Sequence, residues 1–209
     1  MSLEEYKQII DKDFIKDIDF IDKTIKDLNL DKHSKVLDIG TGIGAMSILL
    51  AINGYQVLTG EPEEDRESEV DHHHGEQHEH HSHDEHFHGN WSDWRESAKA
   101  VGVENRIDFQ YFNAEKLPFS AGSYDGIFMY DTLQHIHDRE LALNECIRVL
   151  KSEGYLCVIE WSKKTIKEDK EKYGYEIDFI DPKVYLNRND ILIKNFLGEY
   201  VICNIIQKK

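Results

Sequence analysis

The stretch "VLDIGTGIGAMSILLA", from Val36 to Ala51, holds the residues best suited to chemistry. An apolar strand ends in Asp38. Gly40, Gly42 and Gly44 follow at alternate positions around Thr41, and a helix begins at once. Small residues let the backbone turn sharply and come close to a ligand. The helix N-terminus adds unpaired N–H donors that suit a carboxylate or phosphate. Nicotinamide and flavin folds use a related turn spaced G-x-G-x-x-G, whereas here the run is G-x-G-x-G after an acid. A second acid, Glu61, closes the next strand twenty-three residues after Asp38. A carboxylate there can take both ribose hydroxyls of a nucleoside, although dinucleotide folds share this feature. The plainer alternative is that the glycines only pack a helix against a strand.

A second concentration of reactive side chains is "DHHHGEQHEHHSHDEHFHG", Asp71 to Gly89, with nine of the twelve histidines: His72, His73, His74, His78, His80, His81, His83, His86 and His88. It contains four His-x-His pairs, His72/His74, His78/His80, His81/His83 and His86/His88. In an extended chain residues two apart point to one side, so each pair can offer two imidazoles to one metal. Asp71, Glu76, Glu79, Asp84 and Glu85 add carboxylates that attract cations and raise imidazole basicity. Imidazole suits zinc, nickel or copper, and the lack of nearby cysteine disfavours a Cys-based structural zinc site. The alternative is a solvated loop, favoured by low apolar content, Gly75 and Gly89. The two are compatible, because a loop can fold around a metal.

The elements that must position these residues alternate. The first thirty residues read as helix, with Phe14, Ile18, Ile21, Ile25 and Leu28 on one face. "KVLDIG" reads as strand, "AMSILLAINGY" as helix stopped by Asn53-Gly54, and "QVLTGE" as strand. Periodicity is lost over about 62–90 and resumes with "WSDWRESAKAVGV", a helix closed near Gly102. "RIDFQYF" and "YDGIFMY" read as strands. "DRELALNECIRVLK" reads as helix with Leu141, Ala142, Cys146, Val149 and Leu150 on one face, and "GYLCVIEW" as strand. "SKKTIKEDKEKYG" is a loop or exposed helix, "EIDFIDPKVYL" is poorly defined, "RNDILIKNFL" reads as helix and "EYVICNIIQ" as a last strand. The alternation predicts an α/β fold with a Rossmann-like, doubly wound, mostly parallel sheet. Ligands in such sheets bind beyond the carboxyl ends of the strands. The expected organisation is an N-terminal helical segment at 1–30 belonging to one domain at 31–209, interrupted by the His-rich insertion.

Charge and composition narrow the partners. The formal charge of −16 argues against a nucleic-acid backbone or anionic membrane as the main partner. The longest apolar run, "AMSILLAI", is too short to span a bilayer, and "MSLEEYKQII" lacks a signal peptide's basic and apolar regions. Cys146, Cys157 and Cys203 show neither a disulfide framework nor a CxxC pattern, so buried reduced thiols in a cytoplasmic monomer or homodimer are expected.

From Ser34 to Trp161, apart from the His-rich run, the sequence resembles the class I S-adenosylmethionine-dependent methyltransferases, especially the small-molecule, quinone-biosynthesis-like subgroup. "VLDIGTGIG" resembles the first motif, which implies that the glycine backbone lies against the cofactor's methionyl part and that Asp38 helps hold its amino group. "QVLTGE" is similar to the second, placing Glu61 on the ribose. "FNAEKLPF" is similar to a third that carries Asp where this chain has Asn113, followed by Ala114. An Asn carbonyl can accept the same adenine hydrogen bond, and Asn113 as a mere turn residue is the alternative. "SYDGIFMYDTLQHIHD" is similar to the fourth strand and its loop, which puts Tyr130 and Asp131 at the methionyl end or the substrate. Asp131 could instead cap a short helix starting at Thr132. His135 could pack, cap or shape the site floor, and His137 reads as a loop residue. In "ECIRVLKSEGYLCVIEW", Ser152-Glu153 replace the more usual Pro-Gly. The resemblance implies methyl transfer from S-adenosylmethionine to a small molecule. This is an in-line displacement for which the protein supplies alignment and a dry site. A general base matters only if the acceptor must lose a proton, and Asp131 and His135 are the candidates. The insertion suggests regulation by a divalent transition metal. The competing reading is a metal-binding or metal-sensing protein that keeps the fold without catalysis, and a nicotinamide dehydrogenase would need the other glycine spacing.

Overall fold

In the computed structural model, residues 3–63, 94–174 and 177–209 are described. The strands are β1 (Lys35–Ile39), β2 (Gln56–Gly60), β3 (Ile107–Phe109), β4 (Tyr124–Tyr130), β5 (Leu150–Trp161), β6 (Ile191–Leu197) and β7 (Val201–Lys208). They form one sheet in the order β3-β2-β1-β4-β5-β7-β6. The pairs among β1 to β5 are parallel, and β7 runs antiparallel to both β5 and β6. The chain builds outward from β1 through β2 to β3 and then returns to place β4 on the other side of β1. The order therefore reverses between β1 and β4, which is where a doubly wound sheet opens a crevice.

The helices are α1 (Leu3–Tyr6), α2 (Lys12–Asp27), α3 (Ala45–Ile52), α4 (Trp94–Ala100), α5 (Arg139–Val149) and α6 (Lys163–Tyr173). Central strands are buried on both faces and read as continuous apolar runs. Their alternate residues serve two cores. Phe128, Cys157 and Ile159 join α2, α3 and α4 in one, while Ile127, Met129, Leu156 and Val158 join α5 in the other. All three cysteines are free and buried, as expected of small apolar residues.

Several expectations need correction. The N-terminal segment is two helices, because Asp11 breaks it: its Oδ1 accepts from the amides of Asp13 and Phe14 at 2.7 and 3.3 Å and caps α2. Leu28 is the C-cap beyond the last turn. "RIDFQYF" pairs only over Ile107–Phe109. On α5 Leu141 is exposed and Leu143 and Ile147 are buried in its place, while Leu150 already starts β5. Of the two readings of "SKKTIKEDKEKYG" the exposed helix holds: it forms α6, capped by Ser162 and closed by Gly174 in the left-handed region. "RNDILIKNFL" is not a helix but supplies β6. Ile191 and Ile193 pack on the α5 side of the sheet, a period of two, and pairing with β7 outweighs the helical pattern. The tail thus provides two final strands. Glu153, standing where glycine is more usual, has φ 62° and takes a left-handed turn position that costs a side-chain-bearing residue some strain.

An acid on α2 fastens the far end of the sheet. Asp17 is buried, and its carboxylate accepts from the backbone N–H groups of Glu199, Tyr200 and Val201 at 2.7, 2.8 and 2.9 Å. These residues form the turn between β6 and β7. The capped turn holds α2 against the sheet and aims its N-terminus at the strand ends.

Candidate active site

The carboxyl ends of β1 and β4 open into a cavity of about 280 Å³. A smaller groove of about 210 Å³ lies between α2 and the face of β6 and β7 and contains none of the glycine turn. The cavity at the strand ends is the one that brings together the motif residues.

Gly40, Gly42 and Gly44 all have positive φ, at 88°, 47° and 77°. A Cβ on Gly40 would lie 2.4 Å from Thr132 Oγ1, so the turn is pressed against the loop that follows β4. A Cβ on Gly42 would meet nothing within 4 Å, and Gly42 lines the cavity. The backbone is left bare there on the side from which a ligand approaches. Helix α3 starts at Gly44 without a side-chain cap, so its first N–H groups have no side-chain acceptor. Glu61 lines the cavity, and its Oε2 accepts from the Gly42 amide at 3.2 Å.

Asp38 does not line the cavity. It is fully buried, and its Oδ2 accepts from Ser47 of α3 at 2.5 Å and from Thr59 of β2 at 2.9 Å. Thr59 in turn shares a hydrogen bond with Thr41 at 2.9 Å. The carboxylate therefore ties β1, β2, α3 and the turn together. Its Oδ1 is buried with no hydrogen-bond partner among the described residues. Burial pushes its pKa up to about 7, against the two hydroxyl donors and with a further lift from the charge of Glu61.

Tyr130 ends β4 and lines the cavity. Its ring meets Phe14 of α2 edge-to-face at 4.8 Å, and Phe14 meets Tyr6 at 6.5 Å. Tyr6 donates to the Ala45 carbonyl at 2.7 Å, so α1, α2 and α3 are locked together beside the glycine turn. Asp131 follows with φ 51° and also lines the cavity. Its carboxylate accepts from the Gln134 amide, and the Trp161 indole lies beside it. Burial raises its pKa, and the imidazole of His135 works against that rise. His135 is exposed at the cavity wall.

Asp131 is not the cap expected from the sequence. The short turn Leu133–His135 has Thr132 before it and no side-chain cap from there. Glu160 of β5 does that work: its Oε1 accepts from the amides of Thr132 and Leu133 at 3.2 and 2.7 Å. Glu160 is 2% exposed, and burial next to Asp131 lifts its pKa to about 8. Nothing in the apolar strand "GYLCVIEW" marks Glu160 except that it is a lone acid near the strand's end. Asp11, Asp13, Phe14 and Trp161 line the cavity too, and none was legible as a site residue in the sequence.

Asn113 and Ala114 are not brought to the cavity wall. Asn113 is exposed, and its Oδ1 is occupied by the Glu115 amide at 2.7 Å in a local turn. Ala114 is buried in the core on the α5 side. The nine candidate metal-ligating histidines, His72 to His88, lie outside the described residues. Among the described residues no group of three or more His, Cys, Asp or Glu is placed to hold a metal ion. No described helix is long and apolar enough to cross a membrane.

Sheet order, glycine turn and cavity together define a Rossmann-like α/β protein with a ligand site at its topological switch point. A family model described as "Methyltransferase domain" matches residues 37–158, and the chain belongs to that family, the class I S-adenosylmethionine-dependent methyltransferases. It is similar to the ubiquinone/menaquinone biosynthesis C-methyltransferase UbiE of Klebsiella pneumoniae subsp. pneumoniae, 36% identical over 90 residues that cover 43% of this chain and 36% of that protein. The UbiE protein of Salmonella arizonae is 32% identical over 108 residues, covering 51% of this chain and 43% of the relative. The matched segments thus span less than half the length of these curated relatives. Among solved structures, the PH0226 protein of Pyrococcus horikoshii OT3 superposes with a TM-score of 0.65 at 15% identity, covering 100% of both chains. A SAM-dependent methyltransferase of Methanosarcina mazei gives 0.54 at 20% identity, covering 88% of this chain and 96% of that one. At such identities these two matches speak for the fold alone.

Proposed function

We propose that this protein transfers a methyl group from S-adenosylmethionine to a small-molecule acceptor. The observation that carries the reading is the bare glycine turn at the end of β1 sharing one cavity with Tyr130 and Asp131 at the end of β4. The residues fit the cofactor: Gly42 leaves open the volume a Cβ would fill, the Glu61 carboxylate lies against it, and the first N–H groups of α3 have no side-chain cap. Glu61 would hold the ribose hydroxyls and the first N–H groups of α3 the carboxylate, while Asp38, buried behind the turn, would hold the turn in place. When bound, S-adenosylmethionine supplies a methyl group on a positively charged sulfur.

The chain's own part is alignment and exclusion of water. Glu160 fixes the loop after β4 by holding two of its amides, and Gln134 fixes the Asp131 carboxylate. Phe14, Tyr130 and Ile136 provide apolar wall. Burial keeps Asp131 more basic than an ordinary carboxylate, which suits it to take a proton from the acceptor. The test is calorimetric titration with S-adenosylhomocysteine. Binding that Gly42→Asp abolishes supports the reading. Wild-type protein that binds none overturns it and favours a metal-binding protein on the same fold.

A further reading concerns regulation, and the nine histidines interleaved with acids favour it. The run binds zinc, nickel or copper and couples that binding to the cofactor cavity, whose wall includes Glu61 and Pro62 just before the insertion. Affinity for S-adenosylhomocysteine that stays unchanged at saturating zinc and nickel would remove the coupling.

A further inference from the structure

The cavity's charge is one-sided. Besides Glu61 on the cofactor side, its wall holds the carboxylates of Asp11, Asp13 and Asp131, and among the described residues no Lys or Arg lines it. Lys16 stands outside the wall, 2.6 Å from Asp13 and over the Tyr200 ring at 4.7 Å, and offsets part of the charge of that one acid. The Tyr130 hydroxyl registers the field. After burial, the causes that raise its pKa well above the usual phenol value are the charges of Asp131, Asp11, Asp13 and Asp17. That hydroxyl has no hydrogen-bond partner among the described residues. The same wall is aromatic: Phe14 and Tyr130 meet edge-to-face at 84°, and Trp161 stands beside Asp131.

Ring faces and carboxylates together recognise one kind of group. A cation over an aromatic face is attracted by the ring quadrupole, and more strongly where water is excluded. An anionic acceptor, whether a phenolate, a carboxylate or a phosphate, would meet like charge and find no partner. A neutral quinol would gain nothing from the three acids.

Resting on the methyl-transfer reading above, we propose that the acceptor is a small amine, held by Asp11, Asp13 and Asp131 against the rings of Phe14, Tyr130 and Trp161. The amine enters as an ammonium and gives one N–H proton to the Asp131 carboxylate. Its freed lone pair then forms the nitrogen–carbon bond while the carbon–sulfur bond breaks, and that bond's electron pair stays on sulfur. The proton leaves to solvent past exposed His135.

The test uses full-length protein with saturating S-adenosylhomocysteine. Choline is titrated against 3,3-dimethylbutan-1-ol, which has the same shape with carbon in place of the charged nitrogen, and binding is read by tryptophan fluorescence and calorimetry. Choline binds at least about tenfold more tightly, as expected for one partly desolvated cation–π and carboxylate contact. Asp11→Asn, which keeps the helix cap, and Asp131→Asn each weaken choline about tenfold and leave the alcohol unchanged. Far-UV circular dichroism and a cooperative thermal melt like that of wild type show that the variants fold. Equal affinity for the two probes, or tighter binding of 4-hydroxybenzoate than of choline, overturns the amine assignment. If S-adenosylhomocysteine itself does not bind, methyl transfer fails as a reading, and the same probe pair titrated without it still decides whether the cavity selects a cation.

Discussion

Replacing Gly42 with Ala separates two roles that a glycine turn can have. Gly42 and Gly102 both have positive φ, at 47° and 70°, and at both a Cβ would meet nothing within 4 Å. The backbone penalty for a side-chain-bearing residue in the left-handed region is about 1–2 kcal/mol. Alanine also stiffens the unfolded chain, which returns about 0.4–1 kcal/mol. Each substitution should therefore cost about 1 kcal/mol, a fall in Tm of roughly 2–4 °C for a domain of this size. The two sites differ in surroundings, because Gly42 faces the cavity and Gly102 closes α4 on the surface. Gly42→Ala should weaken S-adenosylhomocysteine by about tenfold or more, since one methyl would occupy the ligand's place. Gly102→Ala should leave that affinity unchanged. Thermal melts and calorimetry on the two variants provide the check. Equal affinities at equal stability would show that no ligand lies on Gly42, and the cofactor placement would have to be abandoned.

Stability should fall as pH rises between about 5 and 8.5. Asp38 and Glu160 have folded pKa values of about 7 and about 8, each raised first by burial and then by a neighbouring charge, Glu61 for the one and Asp131 for the other. A raised folded value means that the stabilisation is complete below the unfolded value near 4 and drains away through the folded one; the loss is of the order of 4 kcal/mol for each group before relaxation. Urea melts of wild type, Asp38→Asn and Glu160→Gln should show the slope flattening in each variant, and a steeper slope in either would contradict it. Asp17→Ala should destabilise the fold by about 3 kcal/mol or more, because it strands three backbone donors at the β6–β7 turn. A loss below about 1 kcal/mol would mean that water replaces the carboxylate there.

What the sequence revealed depended on how local the signal was. The glycine turn and Glu61 were legible because each lies at a strand end within a short contiguous motif. Asp11, Asp13 and Phe14 were not, because they reach the cavity only when α2 packs across the sheet, and Phe14 meets a Tyr130 far away in sequence. Glu160 was hidden for a related reason: its partners, the amides of Thr132 and Leu133, belong to the neighbouring strand's loop. Asn113 reads as a ligand by its motif, and in the fold its carbonyl oxygen also holds the Glu115 amide two residues on. The segment "RNDILIKNFL" fits either period, and only its pairing with β7 decides between them.

The carboxylate of Asp17 joins positions made at very different times. It sits on a helix that leaves the ribosome early, while the amides it holds are separated from it by 182 to 184 residues and arrive late. Until that turn exists, α2 carries a buried acid with nothing to satisfy it, and packing the helix on the sheet is opposed. A nascent chain can therefore assemble β1 to β5 around the glycine turn while the wall made by Asp11, Asp13 and Phe14 stays open. Selectivity for whatever occupies the cavity is therefore acquired only once β7 is made, and a chain truncated before β7 should keep the turn but lose the part of the wall that α2 supplies.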